Sequence, residues 1–346
     1  MDDLLQFPGN IAANAGKTCV VFRLGRFGDV VLASGVLMRW ALEFNLNFVF
    51  VTGNEFAPLF RYAPFVRETV SPPPNPGLRN FFLFCRETAE RFRGSPLIDL
   101  HGVLRSRLSS RLWQGPVLRY PKNALERRLF LASGGKLFKN TLLACNVPQR
   151  YYQALGFRPP PAPDLRPRIY LSEEEVHTAR VRLDGIFHPG ARPVALHIHA
   201  AHPLKAIPET TARTLLTLLC ERGIPCLILG RGKALLPENR TDLTNKTSLR
   251  ELGALLSFCR VLVSSDSGPL HLAAAVDTPV VALFGPTTRE WGFYPCGPRD
   301  IVLEKDLSCR PCSLHGGIRC GTGGQCLSSI TAEDVMQAIE QGGWTS

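Results

Sequence analysis

The chain has 346 residues, of which 45% are hydrophobic and 20% are charged, and its formal net charge is +11. This composition is typical of a globular protein and excludes a disordered or fibrous chain. No apolar run reaches the roughly 18 residues that a membrane-crossing helix needs. The segment MDDLLQFPGN lacks the basic start of a signal peptide. We therefore expect a cytoplasmic protein with two domains.

The positive charge is concentrated in the first half of the chain. Residues 1–165 carry 21 Lys and Arg against 11 Asp and Glu, whereas the remainder carries 19 against 18. Within residues 91–128, nine cations face two acids. This asymmetry predicts an anionic partner, which is a nucleic acid, an acidic membrane surface or a phosphorylated substrate. The alternative is a solvated helical surface that only aids solubility.

The first half alternates predicted strands with a predicted helix. An apolar, β-rich run over residues 18–24 predicts a buried strand, a glycine turn follows, and residues 30–42 have helical periodicity. Further strands are predicted at residues 47–52 and 97–100. The segment RPPPAPDLRPR, with five prolines between Pro159 and Pro167, predicts a stiff, extended linker between domains.

The same alternation restarts after the linker. It predicts strands at residues 193–198, 226–229, 261–264 and 280–284, and helices at residues 208–222, 248–257, 269–276 and 330–341. Such a pattern indicates α/β domains with parallel sheets. We expect two Rossmann-like domains, residues 1–160 and 161–346, that face a central cleft and bind ligands beyond the carboxyl ends of their strands.

The first strand end reads FRLGRFGDV and contains Asp29. Gly25 and Gly28 allow a tight turn and a close approach to a ligand, but their spacing is not that of a dinucleotide fingerprint. Asp29 falls in the first turn of the next helix, where the helix dipole favours a carboxylate. It is a candidate general base. The alternative is that Asp29 only caps the helix.

The most polar strand end reads SSDSGPLHLAAA. Ser267 and Gly268 open a predicted helix whose free N–H groups suit an anion, and His271 lies in its first turn. Asp266 is predicted to accept hydrogen bonds from sugar hydroxyls or to orient the loop, because its carboxylate would repel a bare phosphate. The alternative is an ordinary capped helix with a satisfied histidine.

Another strand end, LHIHAAHPLK, places three histidines before Lys205. A metal at these histidines is a weaker interpretation, because no acid lies nearby in sequence. Lys205 is a candidate for neutralising a leaving phosphate as a point charge.

Four cysteines crowd the end of the chain, namely Cys309, Cys312, Cys320 and Cys326. A close first pair followed by two further thiols has the spacing of a structural zinc or iron site. Free thiols are the second interpretation, and redox disulfides are the third because they are uncommon in a reducing compartment.

Together these segments resemble glycosyltransferase family 9, the ADP-heptose:lipopolysaccharide heptosyltransferases. The resemblance extends over nearly the whole chain, and the block at residues 264–287 is the most specific. The matching segments are LGRFGDVVLASGVL, IDLHGVLRSRLSSRL, LTNKTSLRELGALLS, SSDSGPLHLAAAVDTPVVALFGPT and the cysteine-bearing tail.

The resemblance implies a GT-B fold and an inverting sugar transfer that needs no metal or other cofactor. The first domain would bind the acceptor and the second the nucleotide-sugar. It implies that Asp29 is the general base, that Lys205 contacts the donor diphosphate and that Arg105 contacts the acceptor. Donor contacts would come from Asp266, Ser267, Gly268 and His271.

The implied reaction moves a heptose from ADP-heptose to the lipopolysaccharide core at the cytoplasmic face of the inner membrane. This anionic glycolipid acceptor, rather than a nucleic acid, would explain the basic first half. Family members usually have Ser or Thr before the lysine and a basic residue and Trp after it, whereas this chain has HIHAAHPLK, Ala206 and Ile207. Asn245 replaces a usual Gly, which a left-handed turn would explain.

These departures keep open a family transferase with another nucleotide-sugar or acceptor, such as a protein or another surface glycan. Other classes explain less. Sugar-nucleotide epimerases with this architecture lack the family blocks, an oxidoreductase would need a dinucleotide glycine fingerprint, and a nucleic-acid binder would not explain residues 266–271.

Overall fold

The computed structural model describes residues 18–314, 316–317 and 320–345. The acidic N-terminal segment, on which the compartment prediction depends, lies outside these residues. The chain divides into two compact units. The first contains the described residues up to Lys122 together with Val147–Tyr170, and the second contains Asn123–Asn146 and the described residues from Leu171 onward.

The strands are β1 (Thr18–Phe22), β2 (Asn47–Val51), β3 (Val66–Val70), β4 (Leu97–Asp99), β5 (Val117–Arg119), β6 (Val194–His197), β7 (Cys226–Ile228), β8 (Val261–Ser265), β9 (Val280–Phe284) and β10 (Ile301–Glu304). The helices are α1 (Phe27–Phe44), α2 (Leu78–Arg91), α3 (Leu104–Leu112), α4 (Ala124–Ala132), α5 (Lys139–Leu143), α6 (Val147–Tyr152), α7 (Glu173–Ile186), α8 (Glu209–Glu221), α9 (Leu249–Leu256), α10 (Gly268–Ala275), α11 (Gln325–Ser328) and α12 (Ala332–Gln341).

The first unit is built on a parallel sheet in the order β3-β2-β1-β4-β5. β1 lies at its centre, and Phe22 is in register with Val51 on one side and Asp99 on the other. The apolar runs TCVVF and NFVFV form buried strands because helices cover the sheet and leave little room for polar side chains. The register brings the residues that follow β1 and β4 to the same sheet edge.

The second unit repeats this plan with a parallel sheet in the order β10-β9-β8-β6-β7. His197 at the end of β6 is in register with Ser264 near the end of β8. The core on one side of this sheet includes buried side chains of β6, β8 and β9 together with apolar side chains of α8 and α12. The loops after β6 and β8 therefore meet at one edge.

The elements predicted from the sequence are confirmed, with ends that differ by a few residues. Ser248 and Thr331 are the N-caps of α9 and α12, and their hydroxyls accept from the backbone N–H of Glu251 and Asp334. Several elements were not predicted from the sequence, including β3, β5, β10, α2 and α7. No helix among the described residues is long and apolar enough to cross a membrane.

The segment at residues 158–168, predicted to be a stiff, extended linker, is not extended throughout, because a turn interrupts it. Residues Ala162–Leu165 form a 3-10 turn. A Cβ placed on Gly35 of α1 would lie only 2.1 Å from the carbonyl oxygen of Arg166, and the Arg168 N–H donates to the Ser34 hydroxyl at 2.9 Å. The segment packs directly on α1 because the small residues of this helix let a backbone approach.

Candidate functional site

Asp29 lies in the first turn of α1, and its carboxylate is held by two side chains. The Tyr151 hydroxyl donates to Oδ1 at 2.9 Å, and the Arg23 guanidinium forms an ion pair with Oδ2. The alternative that Asp29 only caps α1 is wrong, because Arg26 occupies the N-cap position and makes no capping bond with its side chain. The carboxylate is therefore fixed by tertiary contacts.

Arg23 follows the central strand β1 and is buried. Its Nη1 donates to the Leu100 carbonyl oxygen at 2.8 Å. Burial lowers the pKa of Arg23, but the Asp29 carboxylate offsets this effect and the pKa lies above the ordinary value. Arg23 therefore stays charged and holds Asp29 in one orientation.

Asp99, at the end of β4, organises the neighbouring loop. Its carboxylate accepts from the N–H groups of His101 and Gly102 and from the Ser106 hydroxyl, each at 2.9 Å. Burial, followed by the charge of Arg23, lowers the pKa of His101 to about 4. The buried His101 Nδ1 has no hydrogen-bond partner among the described residues. A neutral imidazole whose Nδ1 makes no hydrogen bond therefore lies after the end of β4.

Four residues that surround Asp29 in the Asp29 cluster were not predicted from the sequence, namely Arg23, Tyr151, Asp99 and His101. Arg23 had a signal in the sequence, since it is the one charged residue within the otherwise apolar run at residues 18–24. Asp99 and His101 lie within the quoted segment IDLHGVLRS and end a predicted strand, which is a second signal. Tyr151 had none, because it is 122 positions from Asp29.

Lys205 and Asp266, predicted separately, are direct partners in the second unit. Lys205 Nζ lies 2.5 Å from Asp266 Oδ2, and both side chains are largely buried. Lys205 ends the short 3-10 turn Pro203–Lys205 after β6, whereas Asp266 directly follows β8. This pairing fits the prediction that Asp266 orients the loop, since its carboxylate fixes the lysine ammonium beside the start of α10.

Ser267 joins a polar network under the same loop. Its Oγ lies 3.1 Å from Ser264 Oγ and 3.3 Å from His197 Nδ1, and His197 Nδ1 lies 3.0 Å from Ser264 Oγ. Burial lowers the pKa of His197 to about 3, so the ring is neutral near pH 7. His197 therefore positions two hydroxyls and adds no charge to the loop.

The start of α10 has the properties of an anion-binding helix end. Ser267 occupies the N-cap position with extended backbone, and its side chain makes no capping bond. The alternative of an ordinary capped helix is therefore wrong. The first N–H groups of α10, beginning at Gly268, point out of the helix beside Lys205. His271 is buried within α10 and its ring centroid lies 6.3 Å from that of Phe293.

Asn245 adopts the left-handed conformation expected of it, with φ of 62°. Its Oδ1 accepts from the Gly232 N–H at 3.0 Å, and its Nδ2 donates to the Gly232 carbonyl at 2.7 Å. A Cβ on Gly230 or Gly232 would collide with the rings of His197 or His199. The hydrogen bonds of Asn245 and the close approach of these glycines thus hold the loop after β7 against the rings of His197 and His199.

The cysteine tail packs on the Lys205 loop. A Cβ placed on Gly316 would lie 2.8 Å from Cγ and Cδ of Lys205. Burial, followed by the neighbouring thiols Cys309 and Cys320, raises the pKa of Cys312. All four tail cysteines are free thiols, and the described residues contain no group of three or more His, Cys, Asp or Glu that could hold a metal ion.

Arg105 lies in the first turn of α3 with its side chain exposed. Its guanidinium carbon is 5.7 Å from the centroid of the Phe81 ring on α2. The predicted acceptor contact of Arg105 stays a prediction.

Part of the chain matches a known protein family. Residues 152–316 match the family model of glycosyltransferase family 9 (heptosyltransferase). This match covers a little less than half of the chain. Lipopolysaccharide heptosyltransferase 3 of Escherichia coli K12 is 51% identical over 114 residues, which cover 29% of this chain and 28% of that protein. The chain matches less than half the length of the curated family relatives that it resembles.

Solved structures match over nearly the whole chain. A family 9 glycosyltransferase from Veillonella parvula superposes with a TM-score of 0.72 at 19% identity and covers 96% of this chain and 98% of its own. The E. coli ADP-heptose LPS heptosyltransferase II gives 0.69 at 18% identity and covers 94% and 98%. At these identities the likeness concerns the fold, and the predicted α/β, GT-B-like fold is confirmed.

Proposed function

We propose that this protein is an inverting glycosyltransferase of family 9 that moves a heptose from ADP-heptose to an anionic lipopolysaccharide core acceptor. The acceptor would be met at the cytoplasmic face of the inner membrane. The observation that carries the proposal is the arrangement of Lys205, Asp266 and Ser267 at the open start of α10. It combines a cation, a hydroxyl and uncapped N–H groups, which are the groups that bind a diphosphate.

The second unit would bind the donor. The N–H of Gly268 and the Ser267 hydroxyl would donate to diphosphate oxygens, and the Lys205 ammonium would face the charge that develops when the sugar–phosphate bond breaks. Asp266 holds the ammonium in place before the donor arrives. An aligned cation accelerates bond breaking because it needs no reorganisation during the reaction.

The first unit would bind the acceptor and supply the base. Each Asp29 oxygen accepts from one neighbour, Tyr151 or Arg23, and a carboxylate oxygen has two lone-pair sites. One site therefore remains on each oxygen, and either can accept from the acceptor hydroxyl. As the hydroxyl oxygen forms its bond to the anomeric carbon, its proton passes to Asp29 and the bond to the diphosphate breaks. Attack opposite to the leaving group inverts the anomeric centre.

Nucleotide titration tests the donor assignment. We expect calorimetry in EDTA to show ADP binding, with weaker binding of UDP and GDP, and at least tenfold loss of ADP affinity in Lys205→Ala. The matched control is Arg222→Ala, which removes one cation from an exposed ion pair with Glu340 in the same unit. Failure of ADP to bind, or equal loss in both variants, would refute the donor assignment.

A family transferase with another donor or acceptor is the second candidate. It is favoured by the loop between β6 and Lys205, which contains His199, Ala200, Ala201 and His202 in place of the hydroxyl residues usual in the family. Ile207, which stands where the family has Trp, is buried and donates its N–H to the Ile198 carbonyl at 2.9 Å. Selective binding of UDP or GDP would favour this candidate.

The predicted structural zinc or iron plays no part in this mechanism. The described part of the tail brings no three metal-binding side chains together. The metal stays a prediction. Elemental analysis of the purified protein, with about one zinc or iron per chain and a lower Tm after chelation, would support it.

A further inference from the structure

We infer that the outer face of α2 is a docking surface for an anionic phospholipid bilayer. Leu78, Arg79, Phe82, Leu83 and Arg86 are all exposed on this helix. Their spacing of three and four residues places them on one helical face. We call these five residues the α2 patch.

The α2 patch is not part of the protein core. The opposite face of α2 packs inward through Phe81, Phe84 and Cys85. Leu78 remains 80% exposed, and both Phe82 and Leu83 are also exposed. The outer face of a helix on a globular protein is normally polar, so the three exposed apolar side chains of α2, namely Leu78, Phe82 and Leu83, need another explanation.

The neighbouring helix α3 extends the same chemistry. Cys85 of α2 contacts Ser109 of α3 through Sγ and Oγ at 2.9 Å, so the helices are adjacent. Leu104 at the start of α3 is 85% exposed, and Arg105 beside it lies over the Phe81 ring. The apolar and cationic residues therefore continue from one helix to the next.

The cations of this surface lack protein partners. Arg79, Arg86 and Arg105 form no ion pair with any described residue. Arg91, the last residue of α2, pairs with Glu68, and Arg93 just beyond the helix pairs with Glu90. Guanidinium groups beside Leu and Phe suit an anionic bilayer. The lipid phosphates would accept hydrogen bonds from the arginines, and the apolar side chains would insert at the boundary of the acyl chains.

The charge also argues against the same patch of a second copy as the occupant. A twofold contact between two α2 patches would bring unpaired arginines of both copies together, which is repulsive. A nucleic acid would engage the arginines but leave Leu78 and Leu83 unused. An anionic bilayer uses both kinds of side chain.

Vesicle flotation of the full chain tests the inference without any sugar donor. We expect binding to vesicles of equal parts phosphatidylcholine and phosphatidylglycerol, little binding to phosphatidylcholine alone, and weaker binding at high salt. Phe82→Ser with Leu83→Ser should reduce binding at least about tenfold. Arg79→Gln and Arg86→Gln should each reduce it roughly fivefold.

The matched control is Leu42→Ser, because Leu42 is a similarly exposed leucine, 77% accessible, on α1 of the same unit. It should leave vesicle binding unchanged. All variants should keep the wild-type Tm and the wild-type transfer rate to a short, lipid-free acceptor. The benefit of docking for transfer rests on the proposed function, whereas vesicle binding does not.

Three results would overturn the inference. One is no preference for anionic vesicles, and another is equal binding by wild type and the α2 patch variants. The third is loss of a solution dimer in those variants, measured by light scattering, because it would identify the patch as a contact between copies. Loss of vesicle binding with normal transfer supports docking, and absent transfer with normal vesicle binding contradicts only the proposed function.

Discussion

Each unit has a polar cluster that is built around a largely buried pair of an Asp and a cation. The pair is Asp29 with Arg23 in the first unit, the Asp29 cluster, and Asp266 with Lys205 in the second unit, the Lys205 cluster. Arg23 is held by Asp29 and by the Leu100 carbonyl, while the flexible Lys205 stem is covered by Gly316 of the tail. In the proposed mechanism the carboxylate acts in the first cluster and the cation acts in the second. The two pairs therefore have opposite roles. In the first pair the cation positions the reacting carboxylate, and in the second the carboxylate positions the reacting cation.

Removing the reacting carboxylate should have the largest effect. Asp29→Asn keeps the size and much of the hydrogen bonding but cannot take the acceptor proton. We expect turnover to fall by about 10²–10⁴-fold with unchanged ADP affinity, measured by product formation and calorimetry. Asp164→Asn, at an exposed carboxylate of the same unit, is the control. Turnover of Asp29→Asn within tenfold of wild type would contradict the general-base role.

Removing the positioning cation should affect stability. Arg23→Leu leaves the buried Asp29 carboxylate without its ion-pair partner, which typically costs about 3–5 kcal/mol. Urea unfolding should show this loss, and the double variant Arg23→Leu with Asp29→Leu should recover part of it because no charge is left unpaired. A double variant as unstable as Arg23→Leu alone would show that the pair is not the cause.

The neutral histidine beneath Ser267 should make stability depend on pH. The pKa of His197 is about 3 in the folded protein and about 6.5 when unfolded, so only the unfolded chain binds a proton between these values. The contribution of neutral His197 to the free energy of unfolding is fully present above about pH 6.5 and is lost as the pH falls toward 3. From pH 7 to 5, the free energy of unfolding should fall by about 2 kcal/mol more in wild type than in His197→Asn.

The control for this comparison is His177→Asn, which changes an exposed histidine of α7. It should keep the wild-type dependence on pH in the same denaturant titrations. Equal pH slopes for His197→Asn and wild type would mean that the buried ring is not the group responsible.

The smallest effect should come from the tail. Gly316 has φ of +108°, and an added Cβ would collide with the Lys205 stem. Gly316→Ala should displace the ammonium and weaken ADP binding by up to about tenfold, or 1.4 kcal/mol. Gly321→Ala is the matched control, since no atom lies within 4 Å of a Cβ there. If both variants bind ADP like wild type, the tail does not position Lys205.

The order of strands and helices was largely readable from the sequence, and so was the importance of the strand ends. Apolar β-rich runs and helical periodicity are local patterns, and parallel strands carry their ligand-binding residues at the carboxyl ends. Elements with weak patterns were missed. β3 is only half-buried, so it lacks the continuous apolar run of a central strand.

The amino-acid sequence by itself determined two α/β halves, Asp29 in a first helical turn, and the polar start of α10. The partners of these residues were decided only by the tertiary structure. Tyr151 reaches Asp29 across 122 positions, and Lys205 meets Asp266 across 61. Neither pairing has a local signature, because the packing of helices on a sheet, rather than separation along the chain, decides which buried charges and hydroxyls meet.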